Sequence, residues 1–363
     1  MKKNITVIEG DGIGPEVVAQ AIKVLDAVAK RYQHEFTYAH HLMGAVAIDQ
    51  TGSALPEETI KSAQETDAVL LGAVGDPRFD NDPTAKVRPE QGLLQIRKVL
   101  QLYANIRPVK VYDALKHLAP LKADALENVD FVIFRELTGG IYFGEKQVDE
   151  AYTQASDTCS YNRQEVERIA HLAFKQALIR GKKLTLVDKA NVLETSRLWR
   201  KVVQELADEY PEVELHYLFV DNAAMQLILN PGQFDVMLTG NMFGDILSDE
   251  ASVLSGSLGM MPSASIGVGT ALFEPVHGSY PQGAGKDIAN PMATILSVAM
   301  MLDYFEMNEE AEMVRKAVQW AIDKAFVTQD INAKNFHGTS AVGDFIAAFV
   351  GNKLEELNHS AAV

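Results

Sequence analysis

The sequence predicts an α/β fold in which strands and amphipathic helices alternate along the chain. Short apolar runs are separated by stretches with the spacing of an amphipathic helix. The 363 residues are 47% hydrophobic and 23% charged, as in a folded globular protein. A chain of this length buries a core without disulfides. Its single cysteine, Cys159, has no intramolecular partner, so we expect a reducing compartment, the cytoplasm.

Charge and hydropathy argue against two classes of partner. The formal net charge of −16 opposes nucleic-acid binding, which requires a basic face. No apolar run approaches the roughly 18 residues of a membrane span. The richest apolar segment, residues 293–302, contains Thr294 and Ser297 and predicts a buried helix. Because the overall field repels anions, an anionic substrate would require a local cluster of arginines.

The predicted strands, in chain order, cover residues 5–9, 67–74, 130–134, 184–187, 216–220 and 235–238. Helices are predicted after the first strand and over residues 93–102, 164–180 and 310–326. The stretch from Gly75 to Pro89 is rich in Asp, Asn and Pro, which predicts a long mobile loop. In open α/β sheets, ligands gather beyond the carboxyl ends of the strands. The polar residues that follow each strand are therefore the candidates for a site.

The glycine-rich segment Gly10–Pro15 invites comparison with a dinucleotide-binding fingerprint. Its spacing is G-x-G-x-G rather than G-x-G-x-x-G, and no clear strand ends in an acidic residue about 20 positions later. A tight turn from strand to helix, with Pro15 in the first helical turn, explains the segment better.

Asp245 and Asp249 are four residues apart in a helical pattern and therefore lie on one face. Like charges at this spacing cost an isolated helix about 0.2–0.5 kcal/mol. A bound cation such as Mg²⁺ would turn this repulsion into binding, because it prefers carboxylate oxygens. The alternative is a solvated helix face that is favoured by the helix dipole.

Two further residues follow predicted strands. Asp221 comes directly after residues 216–220, where it is either a helix N-cap or a metal ligand. Lys189 follows residues 184–187 and is either an ordinary surface lysine or, near bound carboxylates, a base.

Three arginines border apolar runs, namely Arg97, Arg107 and Arg135. Guanidinium groups bind carboxylates through two parallel hydrogen bonds, so the three predict a dicarboxylate pocket, although each could instead form a structural ion pair. The loop from Glu274 to Lys286 is rich in glycine and proline. Its main-chain amides could bind phosphates, or it is a plain connecting loop.

Together these segments resemble the isocitrate/isopropylmalate dehydrogenase family of β-decarboxylating dehydrogenases, which also includes homoisocitrate and tartrate enzymes. The resemblance covers nearly the whole chain, through the segments 10–15, 97–107, 241–249 and 274–291. The segment Arg135–Gly144, with Thr-Gly-Gly at 138–140, is typical of the branch that acts on 3-isopropylmalate. Isocitrate enzymes carry an acidic residue there, and a serine where this chain has Leu93.

The resemblance implies a two-domain fold that is not a Rossmann domain. Residues 1–102 and 256–363 would form a discontinuous cofactor-binding domain. Residues 103–255 would form the dimerisation and substrate domain, with an arm near 143–162. The active sites of the homodimer would be shared, because Lys189 and Asp221 would reach the site of the partner subunit.

The implied reaction is the NAD-dependent oxidation and decarboxylation of 3-isopropylmalate to 4-methyl-2-oxopentanoate in leucine biosynthesis, assisted by Mg²⁺ or Mn²⁺. The implied catalytic groups are Lys189, which accepts a proton, and Tyr142, which returns one. Substrate would contact Arg97, Arg107, Arg135, Asp221 and Leu93, and the metal would contact Asp221, Asp245 and Asp249. Leu94 would join Leu93 as an apolar wall for the isopropyl group. Cofactor contacts would come from Glu90, Asn191, Glu274, His277, Gly278, Ser279, Gln282, Gly285 and Asn290.

One position departs from the family pattern. Most members of the branch have aspartate where this chain has Gln282, and that carboxylate repels the 2′-phosphate of NADP. We therefore expect NAD as the cofactor, with weaker discrimination against NADP. The rival interpretations are an isocitrate, homoisocitrate or tartrate enzyme of the same family, and a metal-dependent binding or hydrolytic protein that uses no nicotinamide.

Overall fold

The computed structural model describes residues 1–80 and 85–352. Elements are numbered in chain order, and the chain divides into two compact units. Unit 1 comprises Met1–Gln101, Tyr112–Leu118 and Gly256–Val363, and unit 2 comprises Leu102–Val111 and Ala119–Ser255. Among the described residues, no helix is both long and apolar enough to span a membrane.

Unit 1 contains a mostly parallel set of strands. Its strands are β1 (Lys2–Gly10), β2 (Glu35–His40), β3 (Ala68–Ala73), β11 (Pro262–Gly267) and β12 (Ala271–Pro275). Their order is β2-β1-β3-β12-β11, and only the β11–β12 pair is antiparallel. Every residue of β3 is buried, as expected for a central parallel strand covered on both faces.

The helices of unit 1 include one that is almost wholly apolar. They are α1 (Gly14–Tyr32), α2 (Ala45–Thr51), α3 (Glu57–Glu65), α4 (Pro77–Asp80), α5 (Pro89–Val99), α10 (Met292–Tyr304), α11 (Asn308–Asp323) and α12 (Thr339–Val350). The buried residues of α10 run almost without interruption from Met292 to Leu302, which confirms the predicted buried helix. The turn before α1 also agrees with the prediction, because Pro15 lies in the first helical turn.

Unit 2 combines five strands, one separate hairpin and four helices. The strands are β4 (Leu102–Lys110), β5 (Asp130–Glu136), β8 (Lys183–Asp188), β9 (Glu214–Phe219) and β10 (Val236–Thr239), in the order β4-β5-β10-β8-β9. The hairpin consists of β6 (Lys146–Val148) and β7 (Ala155–Asp157), and all its strand residues are exposed. The helices are α6 (Arg163–Ile179), α7 (Glu194–Ala207), α8 (Val220–Leu229) and α9 (Asn241–Ser252).

The core of unit 2 lies between its strands and the helices α6 and α7. Phe174 and Trp199 pack there with the apolar side chains of β5, β8 and β10. A capping box begins α6, because Asn162 accepts from the Glu165 amide at 3.0 Å and the Glu165 side chain accepts from the Asn162 amide at 2.8 Å. This packing fixes the carboxyl ends of the parallel strands, where the candidate residues lie.

Three predicted elements were wrong in part. The helix predicted over residues 93–102 is α5, which begins at Pro89 and ends before Leu102, the first residue of β4. The strand predicted over 216–220 ends at Phe219, and Val220 begins α8. The loop predicted over 75–89 contains α4, and its residues 81–84 lie outside the described part of the chain.

Candidate active site

Arg135 forms a buried connection between β5 and α9. It lies near the carboxyl end of β5, with about 5% of its surface exposed. Its Nη1 pairs with the carboxylate of Asp245, and its Nε and Nη2 donate to Asn241 Oδ1 at 3.2 and 2.9 Å. The guanidinium is therefore held in one orientation by two groups of the same helix.

Gly244 permits α9 to approach β5 this closely. A Cβ at that position would lie 2.7–2.8 Å from the side-chain carbons of Arg135, which is too close for real atoms. The helix therefore packs directly on the aliphatic part of Arg135. This contact brings Asp245, one residue later, to the guanidinium.

Arg107, on β4, is held in a similar way at the next turn of α9. Its Nη1 donates to Ser248 Oγ at 2.7 Å and to Asp249 Oδ1 at 3.1 Å, while its Nε donates to Asn105 Oδ1 at 2.8 Å. The Asp249 side chain is largely exposed, whereas Arg107 is mostly covered. Two arginines thus meet two aspartates along one face of α9, as ion pairs in the absence of any ligand.

Tyr142 completes this cluster in unit 2. Its phenol oxygen donates to Asp245 Oδ2 at 2.9 Å, and the Arg135 guanidinium lies 5.8 Å from its ring centre. Partial burial, followed by the hydrogen bond to Asp245, raises the pKa of Tyr142 above its usual value. The phenol is therefore protonated at neutral pH and able to act as an acid.

Lys189 and Asp221 form a second pair elsewhere in unit 2. Lys189 Nζ lies 2.8 Å from Asp221 Oδ2, and this hydrogen bond lowers the pKa of Asp221. The prediction of Asp221 as an N-cap was wrong, since Phe219 is the N-cap of α8 and Asp221 lies in its first turn. Asp221 is exposed, so the pair is accessible to a second molecule.

Two acidic groups of this cluster have the chemistry of metal ligands. Asp245 and Asp249 offer hard carboxylate oxygens one helical turn apart, which suits Mg²⁺ or Mn²⁺. Within residues 1–80 and 85–352, no three His, Cys, Asp or Glu side chains are close enough to hold an ion together.

In unit 1, Arg97 of α5 pairs with Glu274 of β12. Arg97 Nη2 donates to Glu274 Oε1 at 2.8 Å, and both side chains are mostly buried. Leu93 is half-buried and Leu94 is exposed on the same helix, while Glu90 is exposed in its first turn. In the structure, Arg97 thus forms an ion pair with Glu274, which is one of the predicted cofactor residues.

The loop after Glu274 bonds most of its amides within the chain. The amides of Gly283, Ala284 and Lys286 donate to main-chain oxygens of the loop itself. The amides of Gly285 and Asp287 donate to the carboxylate of Glu16, from the first turn of α1. In this structure the Glu16 carboxylate occupies the amides of Gly285 and Asp287, whereas a phosphate-binding role for the loop stays a prediction.

His277 has a buried ring nitrogen without a hydrogen-bond partner among the described residues. Its Nδ1 lies 2.9 Å from the Gly278 oxygen, whereas its buried Nε2 has no partner among the described residues. Burial lowers the pKa of His277, so the imidazole is neutral at neutral pH. A neutral ring with an unused nitrogen fits a planar base such as adenine.

The other predicted cofactor residues differ in accessibility. Gly278, Gln282 and Gly285 are exposed, and a Cβ at either glycine would meet nothing within 4 Å. Ser279 is buried and its main-chain oxygen accepts from the Ile13 amide at 2.8 Å. Asn290 is also buried, where Nδ2 donates to Asp330 at 3.1 Å and Oδ1 accepts from the Met292 amide at 3.0 Å. Asn191 is exposed, in unit 2.

The sequence analysis missed several polar residues of the cluster in unit 2. Ser248 and Asn105 hold Arg107, and Asn241 holds Arg135. Ser248 is three residues after Asp245, so helical spacing could have placed it beside the aspartates. Asn105 was not predicted as a site residue, because β4, the strand in which it lies, was not predicted.

The fold and the cluster define a class of protein: an α/β protein whose arginines and paired aspartates suit an anionic substrate and a divalent cation. The sequence profile described as isocitrate/isopropylmalate dehydrogenase matches residues 4–346. The chain belongs to this family of decarboxylating dehydrogenases, for which metal and NAD use are general features.

Similar proteins carry a more specific name. The chain is 53% identical over 352 residues to a 3-isopropylmalate dehydrogenase of Bacteroides fragilis, covering 96% of this chain and 99% of that protein. It is 55% identical over 336 residues to the protein of the same name from Aquifex aeolicus, covering 91% and 92%. For Bacillus subtilis the identity is 52% over 357 residues, covering 96% and 98%.

Solved structures also resemble this chain over nearly its whole length. The crystal structure of isocitrate dehydrogenase from Methylococcus capsulatus is 35% identical, with a TM-score of 0.84 and coverage of 96% of this chain and 99% of that one. A β-decarboxylating dehydrogenase from Thermococcus kodakarensis, in its apo form, is 37% identical, with a TM-score of 0.80 and 97% of both chains covered. Both agree with the predicted fold class.

Proposed function

We propose that this chain is a dimeric, NAD-dependent enzyme that oxidises and decarboxylates 3-isopropylmalate to 4-methyl-2-oxopentanoate in leucine biosynthesis. The observation that carries the proposal is its 52–55% identity, over more than nine tenths of the chain, to proteins named 3-isopropylmalate dehydrogenase. The cytoplasm is the expected location, since the one cysteine points to a reducing compartment.

Arg107 and Arg135 would bind the two carboxylates of the substrate. Both guanidiniums are already oriented by neutral groups, Asn105 and Ser248 for one and Asn241 for the other. Their orientation before binding reduces the entropic cost of binding a carboxylate. The local positive charge also offsets the repulsion that a chain of net charge −16 exerts on a dianion. Arg97 would serve as a third carboxylate-binding group.

Asp245 and Asp249 would hold Mg²⁺ or Mn²⁺, together with Asp221 of a second copy of the chain. Such an ion, when bound, polarises a substrate oxygen and stabilises the negative charge that develops on it. The same two aspartates neutralise Arg135 and Arg107 when no substrate is present. Negative groups would thus lie beside Arg107 and Arg135 both with and without bound substrate, and they would reduce the repulsion between the two arginines.

Lys189 of the second copy would accept the proton of the substrate hydroxyl. The neutral amine would be the form that takes this proton, and Asp221 Oδ2, 2.8 Å from Nζ, would stabilise the ammonium group that results. A bound NAD would supply the acceptor for the hydride from the carbon that bears the hydroxyl. His277 would contact the adenine, with Glu90, Asn191, Glu274, Gly278, Ser279, Gln282, Gly285 and Asn290 as the further proposed cofactor residues.

Tyr142 would protonate the carbon that loses carbon dioxide. Its raised pKa keeps the proton on the phenol until the enolate forms. The hydrogen bond to Asp245 also fixes the direction of the hydroxyl group. After the transfer, the Arg135 guanidinium lies near the tyrosine ring and stabilises the phenolate charge.

Leu93 and Leu94 would contact the isopropyl group and set the specificity. An apolar wall gains about 0.8 kcal/mol for each buried methylene group. Burying the extra carboxylate of isocitrate against it without a partner costs several kcal/mol. We therefore expect strong discrimination against isocitrate but modest discrimination among 3-alkylmalates.

Exposed apolar side chains on α8 and α9 support a homodimer. Met225, Ile228 and Leu229 on α8, and Ile246 on α9, each expose more than half of their surface. Such a group of large exposed side chains is typical of a protein interface. In the dimer, unit 2 would provide the contact and unit 1 the cofactor site, in line with the predicted domain roles.

The direct experiment is to follow NADH formation with 3-isopropylmalate and Mg²⁺ or Mn²⁺. We expect turnover with 3-isopropylmalate, little with isocitrate or tartrate, and loss of turnover when EDTA removes the metal. Comparing NAD with NADP tests the effect of Gln282, and a strong preference for NAD would show that another group excludes the 2′-phosphate. Turnover with isocitrate alone, or none with any of these substrates, would contradict the proposal.

A further inference from the structure

Glu136 is a buried carboxylate that the proposed chemistry does not use. It ends β5, directly after Arg135, and none of its surface is exposed. Both of its oxygens accept from the Thr138 amide at 2.9 Å, and Oε2 accepts from the Gly139 amide at 2.7 Å. The Thr138 hydroxyl also donates to it. A charge buried this completely is tolerated only where such donors surround it.

Most of the groups that donate to Glu136 belong to the turn formed by residues 138–140, namely the amide and hydroxyl of Thr138 and the amide of Gly139. The remaining donor is Arg168, whose Nη2 lies 3.4 Å from Glu136 Oε1 and also donates to the Thr138 hydroxyl. Gly140 has a φ of +78°, and its amide donates to the Ser160 oxygen at 2.9 Å. The carboxylate therefore sets the shape of the turn from within, and the chain leaves that turn two residues before Tyr142.

The same turn is fastened to the amino end of α9. Asn241 Nδ2 donates to the Gly139 oxygen at 3.2 Å. The phenol oxygen of Tyr161 accepts from the Asn241 amide at 2.8 Å, and its ring lies against Gly139 and Gly140, where any Cβ would overlap it. Because Asp245 also lies on α9, the helix that carries the hydrogen-bond partner of Tyr142 is directly bonded to the turn.

We propose that Glu136 is a positioning residue that holds Tyr142 against Asp245 through the turn at 138–140. The inference rests on the proposed function, in which Tyr142 donates a proton. Glu136 itself touches neither substrate nor cofactor. If Glu136 acts through Tyr142, its removal should lower kcat only while the phenol is present. A residue that merely stabilises the fold would lower kcat equally with or without the phenol.

A double-mutant cycle between Glu136→Gln and Tyr142→Phe tests this proposal. The amide has the shape of the carboxylate but turns an NH₂ group toward the N–H donors of the turn. We expect Glu136→Gln to lower kcat about tenfold or more, because small misplacements of reacting groups are costly. KM for 3-isopropylmalate should change less than kcat. In the Tyr142→Phe background, the same substitution should lower kcat by less than about twofold, since coupled residues are not additive.

Thr138 provides a second route if Glu136→Gln fails to fold. Thr138→Val removes one donor to Glu136 and should lower kcat, whereas Thr138→Ser keeps the hydroxyl and should restore it. Asp235→Asn is the matched control, since Asp235 accepts from Arg180 and the Lys183 amide just before β10 begins. It should lower stability and leave kcat unchanged. Equal losses of kcat in both backgrounds, or no loss in either, would overturn the proposal. A wild-type chain without turnover would instead refute the proposed function.

Discussion

At the scale of single residues, Tyr142 is partly exposed, yet its hydroxyl group is fixed in direction and its pKa is raised. Its ring is about 41% exposed, yet its hydroxyl is directed at Asp245 and its pKa is raised by partial burial and by that carboxylate. A tyrosine in this state gives up its proton only to a strong base. The enolate left by decarboxylation is such a base, whereas water is not.

Tyr142→Phe should lower kcat by about 10²–10⁴-fold, the range for loss of a general acid. KM for 3-isopropylmalate should change little, because no substrate-binding arginine is altered. Steady-state measurement of NADH formation checks both values. Tyr152→Phe is the control, since Tyr152 is 84% exposed. Equal kcat values for the two variants would contradict the assignment of Tyr142.

His277 makes a prediction about stability and pH. Its pKa is lowered by burial, so between that lowered value and the usual 6.5 the unfolded chain binds more protons than the folded chain. This residue's contribution to the free energy of unfolding should therefore be complete above pH 6.5 and should fall as the pH falls below it.

Urea unfolding at pH 7.5 and pH 5.5 measures that change. His277→Gln should lose less stability than the wild-type chain between the two pH values, because glutamine does not titrate. The exposed His117→Gln serves as the control and should behave as the wild type does. An identical pH dependence for His277→Gln and wild type would show that the burial of this ring does not govern its protonation.

Residue types were predictable from the sequence, but their partners were not. The arginines stood out because each borders an apolar run, and the aspartates because they are four residues apart in a helical pattern. The structure brings Arg107 to Asp249 and Arg135 to Asp245. Which arginine meets which aspartate depends on the packing of α9 on β5, and this rests on Gly244. The sequence alone does not indicate which strand or side chain packs against a glycine inside a helix.

At the scale of elements, Gly140 and Gly52 offer a matched pair. Both have a positive φ, +78° and +77°, so alanine is strained at either site. Around Gly52 a Cβ would meet nothing within 4 Å, whereas at Gly140 it would overlap Tyr161. The difference between the two substitutions therefore isolates the contact between the turn at 138–140 and Tyr161.

Gly52→Ala should cost about 1–2 kcal/mol, the price of the left-handed conformation alone. Gly140→Ala should cost more and should also lower kcat, since it displaces the chain that leads to Tyr142. Chemical denaturation gives the stabilities, and the NADH assay gives the rates. Gly140→Ala with the stability and turnover expected of Gly52→Ala would show that the contact with Tyr161 is unimportant.

The elements that the sequence revealed best are those with continuous apolar runs. The strands β3, β5, β8 and β10 were found because both faces of a parallel strand are covered. Six strands were missed, namely β2, β4, β6, β7, β11 and β12. Pro108 lies in β4, while Ser263, Ser265 and Pro262 lie in β11, and these residue types are typical of loops rather than strands. Tertiary burial, rather than local propensity, makes them strands.

At the scale of the whole molecule, the described residues of a single chain do not gather the three potential metal ligands that the proposed reaction needs. Lys189 and Asp221 pair with each other, and no described group of three potential ligands surrounds Asp245 and Asp249. The exposed apolar side chains of α8 and α9 lie on the helices that carry Asp221 and the two aspartates. A twofold dimer through these helices would bring both sets together twice.

Mixed dimers test this sharing of sites directly. Lys189→Ala and Asp245→Asn should each be inactive alone. A dimer with one chain of each kind contains one site with both defects and one site with neither. Isolated mixed dimers should therefore have roughly half of wild-type activity.

The matched control pairs Lys189→Ala with Asp221→Asn, two residues only 2.8 Å apart that one chain would supply to the same neighbouring site. Every site of that mixed dimer carries one defect, so activity should not return. Co-expression with two different affinity tags, followed by purification on both, isolates the mixed dimers for the NADH assay. Recovery in neither mixture would mean that each chain completes its own site, and recovery in both would mean that Lys189 and Asp221 of one site come from different chains.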